Sequence, residues 1–219
     1  MAIRNILQGN DPALRKKSRI VTDFNKRLHE LLDDMRETLL EANGLGLAAP
    51  QVGVLRRVVL IVDTSDDTEG AEPQIIELIN PDIIAKSGEQ TGSEGCLSIP
   101  GVYGIVTRPA LVRITAQDRE GNDIELWQKD LTARAICHEI DHLNGVVFTT
   151  LTDQFLTEEE LEALAAEKEK ENENAQDSVQ VAAKDSVKEN TKDGVQEDTK
   201  ENAQDGSQDG LQDDSQVET

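Results

Sequence analysis

The chain has 219 residues, with 22 lysines and arginines against 44 aspartates and glutamates, a net charge of −22 at neutral pH. Such a balance excludes nucleic-acid binding through a broad basic face. No apolar run approaches the ~20 residues that cross a bilayer, and the opening Met1-Ala2-Ile3-Arg4-Asn5 lacks the long apolar stretch of an export signal. A cytoplasmic protein without a membrane or DNA partner is therefore expected. All five aromatic residues, Phe24, Tyr103, Trp127, Phe148 and Phe155, lie before residue 156, which places one folded domain over residues 1–165 and a tail over 166–219.

After a Pro-containing opening, Phe24, Leu28, Leu31, Leu32, Met35 and Leu39 recur at helical spacing between Asp23 and Asn43, and Gly44 stands where a helix stop is expected. Val58–Val62, Ile75–Ile79, Leu111–Thr115 and Ile124–Trp127 predict strands, separated by turn-rich pieces such as Arg119-Glu120-Gly121-Asn122. From about Leu131 the period returns to helical through Ala135, Ile136, Ile140 and Leu143, and Gly145 closes it. Helix, strands, helix is an α+β order. Thr157-Glu158-Glu159-Glu160 has the form of a capping box opening a further helix with Leu161 and Leu164. Residues 166–219 follow with 6 lysines, no arginine, 16 acidic residues and a degenerate Gln-Asp repeat. They offer too little apolar surface to offset ordering costs of roughly 1–2 kcal/mol per residue, so a disordered, solubilising tail is expected.

The most informative segment is His138-Glu139-Ile140-Asp141-His142. Two histidines at i and i+4 share one helical face and are able to bind one divalent metal, and the glutamate between them reaches a water as general base. Both continue the stripe of Leu131 and Ala135, so they should point inward, where a polar ring needs a partner or a ligand. The third ligand is less determined by spacing. The long H-E-x-x-H-x-x-G-x-x-H protease pattern fails because Phe148 stands at the last position. Glu162 is far enough downstream for a thermolysin-like site, but it lies in a strongly acidic stretch. Cys96, in Glu94-Gly95-Cys96-Leu97-Ser98-Ile99-Pro100-Gly101, would complete a thiolate-plus-two-imidazole set with a position left for water. Cys137 is expected to be a small buried hydrophobe, with a disulfide to Cys96 disfavoured by the reducing compartment. His29 lies off the apolar stripe of its helix and is expected at the surface.

Gly44-Leu45-Gly46-Leu47-Ala48-Ala49-Pro50-Gln51 has the Gly-x-Gly-x-x-Ala spacing of a dinucleotide loop, but it follows a helix instead of a strand, which removes that reading. Its glycines let backbone pass close to another group. Gln51 either offers an amide N–H to a developing oxyanion or sits at the surface of a tight turn.

These three segments, in this order, resemble the signature motifs of the bacterial peptide deformylases, over about residues 2–155, and the short connections between them look more like the compact type 1 enzymes. The resemblance implies mostly antiparallel sheets around a central helix carrying the H-E-x-x-H motif. It also implies removal of the formyl group from the N-terminal formylmethionine of new polypeptides, releasing formate. Cys96, His138 and His142 would hold the metal, Glu139 would move the proton, and Gln51 with the backbone N–H of Leu97 would stabilise the oxyanion. The implied native metal is Fe2+, with Zn2+, Ni2+ or Co2+ as substitutes. Glu94 would pair with Arg108 to support the cysteine loop. A methionine-sized pocket would be lined by Leu45, Gly46, Leu131 and Ala135, with Arg134 near its rim. Two departures stand out. Tyr103 occupies a position where some relatives carry a substrate-contacting arginine, and Glu158-Glu159-Glu160 replaces the basic C-terminal helix with which some touch the ribosome. A monomer with transient ribosome proximity is expected, the nascent formylated polypeptide being its substrate.

Overall fold

In the computed structural model, which describes residues 2–64, 73–164 and 166–167, the expected first helix is α1, Lys26–Glu41. It begins where the Asn25 side chain accepts hydrogen bonds from the backbone N–H groups of Arg27 and Leu28, two of the donors a helix start leaves unsatisfied. It ends on Asn43, which takes the left-handed conformation with φ 50°, so Gly44 is not the residue that turns the chain. Gly44 is needed for space, since a Cβ there would stand 2.8 Å from Leu97 Cδ1.

The strands form two antiparallel sheets. The larger has the order β1 (Gly46–Ala48), β2 (Val58–Val62), β3 (Ile75–Ser87), β6 (Leu111–Gln117), β7 (Asp123–Lys129), and the smaller the order β4 (Gln90–Cys96), β5 (Ile99–Arg108), β8 (Phe155–Leu156). Strand β2 is apolar at every position because both its faces are covered: Val58 and Leu60 join the α1 core, and Val59 and Ile61 the core under the second helix. In β6 only alternate residues, Val112, Ile114 and Ala116, are buried, as a one-sided strand requires.

The second helix, α2 (Asp130–Leu143), buries 11 of its 14 residues, so it is enclosed on more than one side. Ala133, Ile136, Cys137, Ile140 and Leu143 pack on the larger sheet. Phe148 and Val147 close the other side with Val106 of the smaller sheet, and the Phe148 ring lies 5.9 Å from that of His138. The α+β arrangement of mostly antiparallel sheets around the H-E-x-x-H helix is the expected one. Cys137 is a free, buried thiol in this core. His29 departs from expectation: it is half-buried, and its Nε2 lies 2.8 Å from the Arg119 carbonyl oxygen.

The capping box at Thr157 is formed, with Thr157 N–H donating to Glu160 Oε2 at 2.8 Å and Glu160 N–H to Thr157 Oγ1 at 3.3 Å. No helix among the described residues is long and apolar enough to cross a membrane. The chain divides into two units, residues 1–167 and 168–219; the expected disordered tail of residues 166–219 lies outside the described residues, 166–167 excepted.

Gly145 ends α2 with φ 75°, and a Cβ there would stand 2.6 Å from the Arg15 carbonyl oxygen. The left-handed backbone alone costs an alanine about 1–2 kcal/mol, and the backbone overlap adds to it. Gly145→Ala should therefore lower the urea midpoint while leaving the slope of the transition unchanged.

Candidate metal centre and active site

Three elements meet at one point. Helix α2 presents His138, Glu139 and His142, β4 ends at Cys96, and the 3-10 turn Ala49–Val52 after β1 carries Gln51. One ligand atom each from Cys96, His138 and His142 lies within 4.8 Å of the others, and Cys96 Sγ is 3.2 Å from His142 Nε2. Among the described residues this is the group able to hold a metal, so Glu162, exposed beyond the capping box, drops out as third ligand.

Behind the ligands sits a buried charge cluster. Glu94 receives Arg108 Nε at 2.9 Å and Nη2 at 3.0 Å, Arg134 Nη1 at 2.9 Å, and lies 3.1 Å from His138 Nδ1. Arg108 also donates to Asp141 at 2.6 Å. Burial by itself would raise the Glu94 carboxyl, but the hydrogen bond to His138 and the Arg108 guanidinium bring it down to about 2. Held by Glu94 through Nδ1, the His138 ring turns its other nitrogen toward Cys96 and His142. Burial disfavours protonation of both rings. It prevails at His142, lowered to about 3 with help from the charge of His138, whereas hydrogen bonds to Cys96 and Glu94 carry His138 up to about 10.

Glu139 lacks such a cluster. Its carboxyl is raised to about 7 by burial, and its Oε2 has no hydrogen-bond partner among the described residues. The carboxylate rests against Gly46, where a Cβ would come within 2.6 Å of Oε1. Gln51 is 1% exposed, which overturns the alternative that places it on the surface of a turn. Its Oε1 accepts from Ala48 N–H at 2.7 Å, and this fixes Nε2, 3.6 Å from Cys96 Sγ and 3.3 Å from Ser98 Oγ. Leu97 follows Cys96 in the turn between β4 and β5. A cysteine sulfur, two imidazoles and a buried carboxylate with one oxygen left without a partner among the described residues form a donor set that fits a divalent metal with a water beside it.

A cavity of about 480 Å³ opens next to these groups and is lined by all five residues expected at the pocket, Leu45, Gly46, Leu131, Arg134 and Ala135. Arg134 is not at its rim. The side chain is buried, donating to Glu94 and to the carbonyl oxygens of Gln90, Gly92 and Val106, so it braces the floor. Tyr103 lines the same cavity with its ring against Gly95, a contact the motif spacing gave no sign of.

A family model for polypeptide deformylases matches residues 3–156. The chain belongs to the polypeptide deformylase family. It is 54% identical over 149 residues to the peptide deformylase of Alkaliphilus metalliredigens, covering 68% of this chain and 96% of that protein. The crystal structure of a peptide deformylase from Legionella pneumophila matches with a TM-score of 0.63 at 38% identity, over 80% of this chain and 98% of that one. The Met-Ala-Ser-bound class I type b peptide deformylase of Acinetobacter baumannii matches with a TM-score of 0.63 at 30% identity, over 68% and 99%. The enzyme is thus a metallo-hydrolase that removes the N-formyl group from nascent polypeptides.

Replacing Glu94 by Gln leaves two buried guanidinium groups without their shared carboxylate and frees the His138 ring. Metal affinity in Glu94→Gln should fall by about 10- to 100-fold, read by competition with a chelator, and stability should fall by about 3–5 kcal/mol in urea denaturation.

Proposed function

We propose that Cys96, His138 and His142 hold one divalent metal and that Glu139, Gln51 and Leu97 carry out the proton and oxyanion work of deformylation. The observation that carries this is the convergence of three ligand atoms within 4.8 Å beside a buried glutamate oxygen that no described residue engages. A cation in this position lowers the pKa of a water and polarises the formyl carbonyl. Glu139, with its carboxyl brought to about 7 by burial, takes a proton from the attacking water and delivers it to the leaving amine, a task that favours a pKa near the working pH. The Gln51 amide and the Leu97 backbone N–H donate to the oxygen as it becomes negative, and the hydrogen bond from Ala48 N–H aims the amide in advance. The methionine side chain enters the cavity beside Leu45, Gly46, Leu131 and Ala135, over the floor that Arg134 braces; a peptide beginning with methionine, Met-Ala-Ser, is bound by the similar Acinetobacter baumannii enzyme.

Fe2+ is proposed as the native metal, with Zn2+, Ni2+ or Co2+ as substitutes, since a mixed sulfur and nitrogen site accepts all of them. We read residues 1–165 as the catalytic domain and 166–219 as an acidic tail. The protein is proposed to be a cytoplasmic monomer that meets its substrate in transient proximity to the ribosome, with neither DNA nor membrane as partner.

Anaerobic protein loaded with Fe2+ should release formate from a formylmethionyl tripeptide, and chelation should abolish this reversibly. Gln51→Ala should fold and keep its metal but turn over at least about 100-fold more slowly, the loss of one oxyanion donor costing about 3–4 kcal/mol in the barrier. Unchanged turnover in that variant would remove Gln51 from the mechanism, and formate release by Glu139→Gln at the parent rate would remove Glu139.

A further inference from the structure

Residues 12–22 contain Arg15, Lys16, Lys17 and Arg19 and no acidic residue, and residues 42–62 contain Arg56 and Arg57 and again none, in a chain with 44 acids to 22 bases. The fold places these two stretches side by side. Arg19 and Arg56 form a parallel bridge, Arg19 N–H donates to Leu55 O at 3.1 Å, and Arg57 N–H donates to Arg19 O at 2.9 Å. Ser18 N–H donates to Leu143 O at 2.8 Å, tying the strip to the last turn of α2. Asn80, at φ 53°, clamps its far end by accepting from Val21 N–H at 2.8 Å and donating to Val21 O at 2.9 Å.

Five of the six cations are exposed, and Arg57 is half-buried. None of the six forms an ion pair with another described residue; of the other described cations, Arg4, Lys26, Arg108, Arg113, Arg119, Lys129 and Arg134 do, and Arg27, Arg36 and Lys86 do not. The C-terminal partial charge of α2 amounts to about half a unit and cannot offset six cations. Most of the unpaired positive charge among the described residues is thus gathered on these two joined stretches.

We propose that this strip is a docking surface for the phosphate backbone of RNA. The proposal rests on the activity toward nascent polypeptides and on the ribosome proximity read above. A protein of net charge −22 approaches polyanionic RNA favourably only when it turns a cationic face toward it, and charges more than about 10 Å away are largely screened at cellular salt. The strip lies at the Leu143 end of α2, while the substrate cavity is lined by Leu131, Arg134 and Ala135 from the opposite end, so docking leaves the cavity open. An anionic lipid surface fits less well, because the two stretches carry no aromatic residue and no amphipathic helix, and of their exposed large apolar side chains, Ile20 and Leu45, the latter lines the substrate cavity.

Full-length protein should be titrated into a fluorescein-labelled RNA duplex and followed by anisotropy at several salt concentrations. The Arg57 guanidinium already donates to Pro81 O at 2.8 Å and to Asn144 Oδ1 at 3.1 Å, so with up to about five phosphate contacts binding should weaken with a log–log salt slope of about −3 to −4.5. Lys16→Glu with Lys17→Glu should weaken binding at low salt by at least about tenfold and reduce the slope by about two, while formate release from the formylated tripeptide stays at the parent rate. Lys26→Glu with Lys129→Glu, the same charge change elsewhere, should bind RNA much more tightly than that variant. Absence of RNA binding at low salt, equal losses in the two double variants, or a preference for phosphatidylserine vesicles over RNA would each overturn the proposal. Failure of formate release in the parent protein would strike the activity assignment instead.

Discussion

The site depends on one buried carboxylate. Glu94 is taken out of water by the closing of the smaller sheet on α2, and it is tolerable there because two guanidinium groups and an imidazole supply donors from three directions. Its partners come from separate elements: Arg108 from β5, Arg134 and His138 from α2. A charge satisfied this way gives little net stability over a well-packed apolar cluster, since desolvation consumes most of the Coulombic gain. What it gives is geometry. Only one placement of β4 and β5 on the helix lets all these hydrogen bonds form, and that placement brings Cys96, two residues beyond Glu94, to His138 and His142.

Two glutamates within this small volume are driven to opposite protonation behaviour by their surroundings. Glu94 is held at about 2 despite its burial, whereas Glu139, more deeply enclosed and without a guanidinium hydrogen bond, is pushed up to about 7. A permanently ionised Glu94 orients the His138 ring and balances the two arginines, and an adjustable Glu139 is free to exchange a proton. Exchanging these environments would leave a partly protonated carboxyl in the scaffold and a permanently ionised, weakly basic carboxylate facing substrate. The absence of a side chain at Gly46 leaves the room this carboxylate occupies, because a Cβ there would stand 2.6 Å from Glu139 Oε1.

Legibility in the sequence followed the strength of local patterning. Both helices, strand β2, the H-E-x-x-H face and the Cys96 loop were readable, because each combines a clear period or residue type with a turn signal. Strands β4 and β5 were not. The former, Gln90-Thr91-Gly92-Ser93-Glu94-Gly95-Cys96, has no apolar alternation because its inward side chains serve the charge cluster, and the latter is broken by Pro100, Gly101 and Gly104. The role of Arg134 was hidden for a related reason. On a helical wheel it lies beside pocket residues, and only the tertiary approach of β4 and β5 supplies the carbonyl oxygens of Gln90, Gly92 and Val106 that occupy its guanidinium. Motifs revealed the groups that touch the chemistry; the groups that aim them required the fold.

Charge was legible in total and illegible in distribution. A net value of −22 argues against a broad basic face, yet net charge sums groups that do not sense one another across more than a Debye length of about 8–10 Å. Along the sequence, Arg19 and Arg56 are far apart, and each stretch alone is an ordinary basic turn. Joined by the backbone bonds from Arg19 N–H to Leu55 and from Arg57 N–H to Arg19, they become one surface. The second stretch and the residues just before the first also serve the active site: Gln51, at the end of the glycine motif, accepts at its carbonyl oxygen from Leu7 N–H, and Gly9 N–H donates to Ser98 O. The N-terminal segment therefore anchors the oxyanion side of the site and then runs on into the cationic strip, so the fold that positions Gln51 also fixes where the unpaired positive charge is displayed.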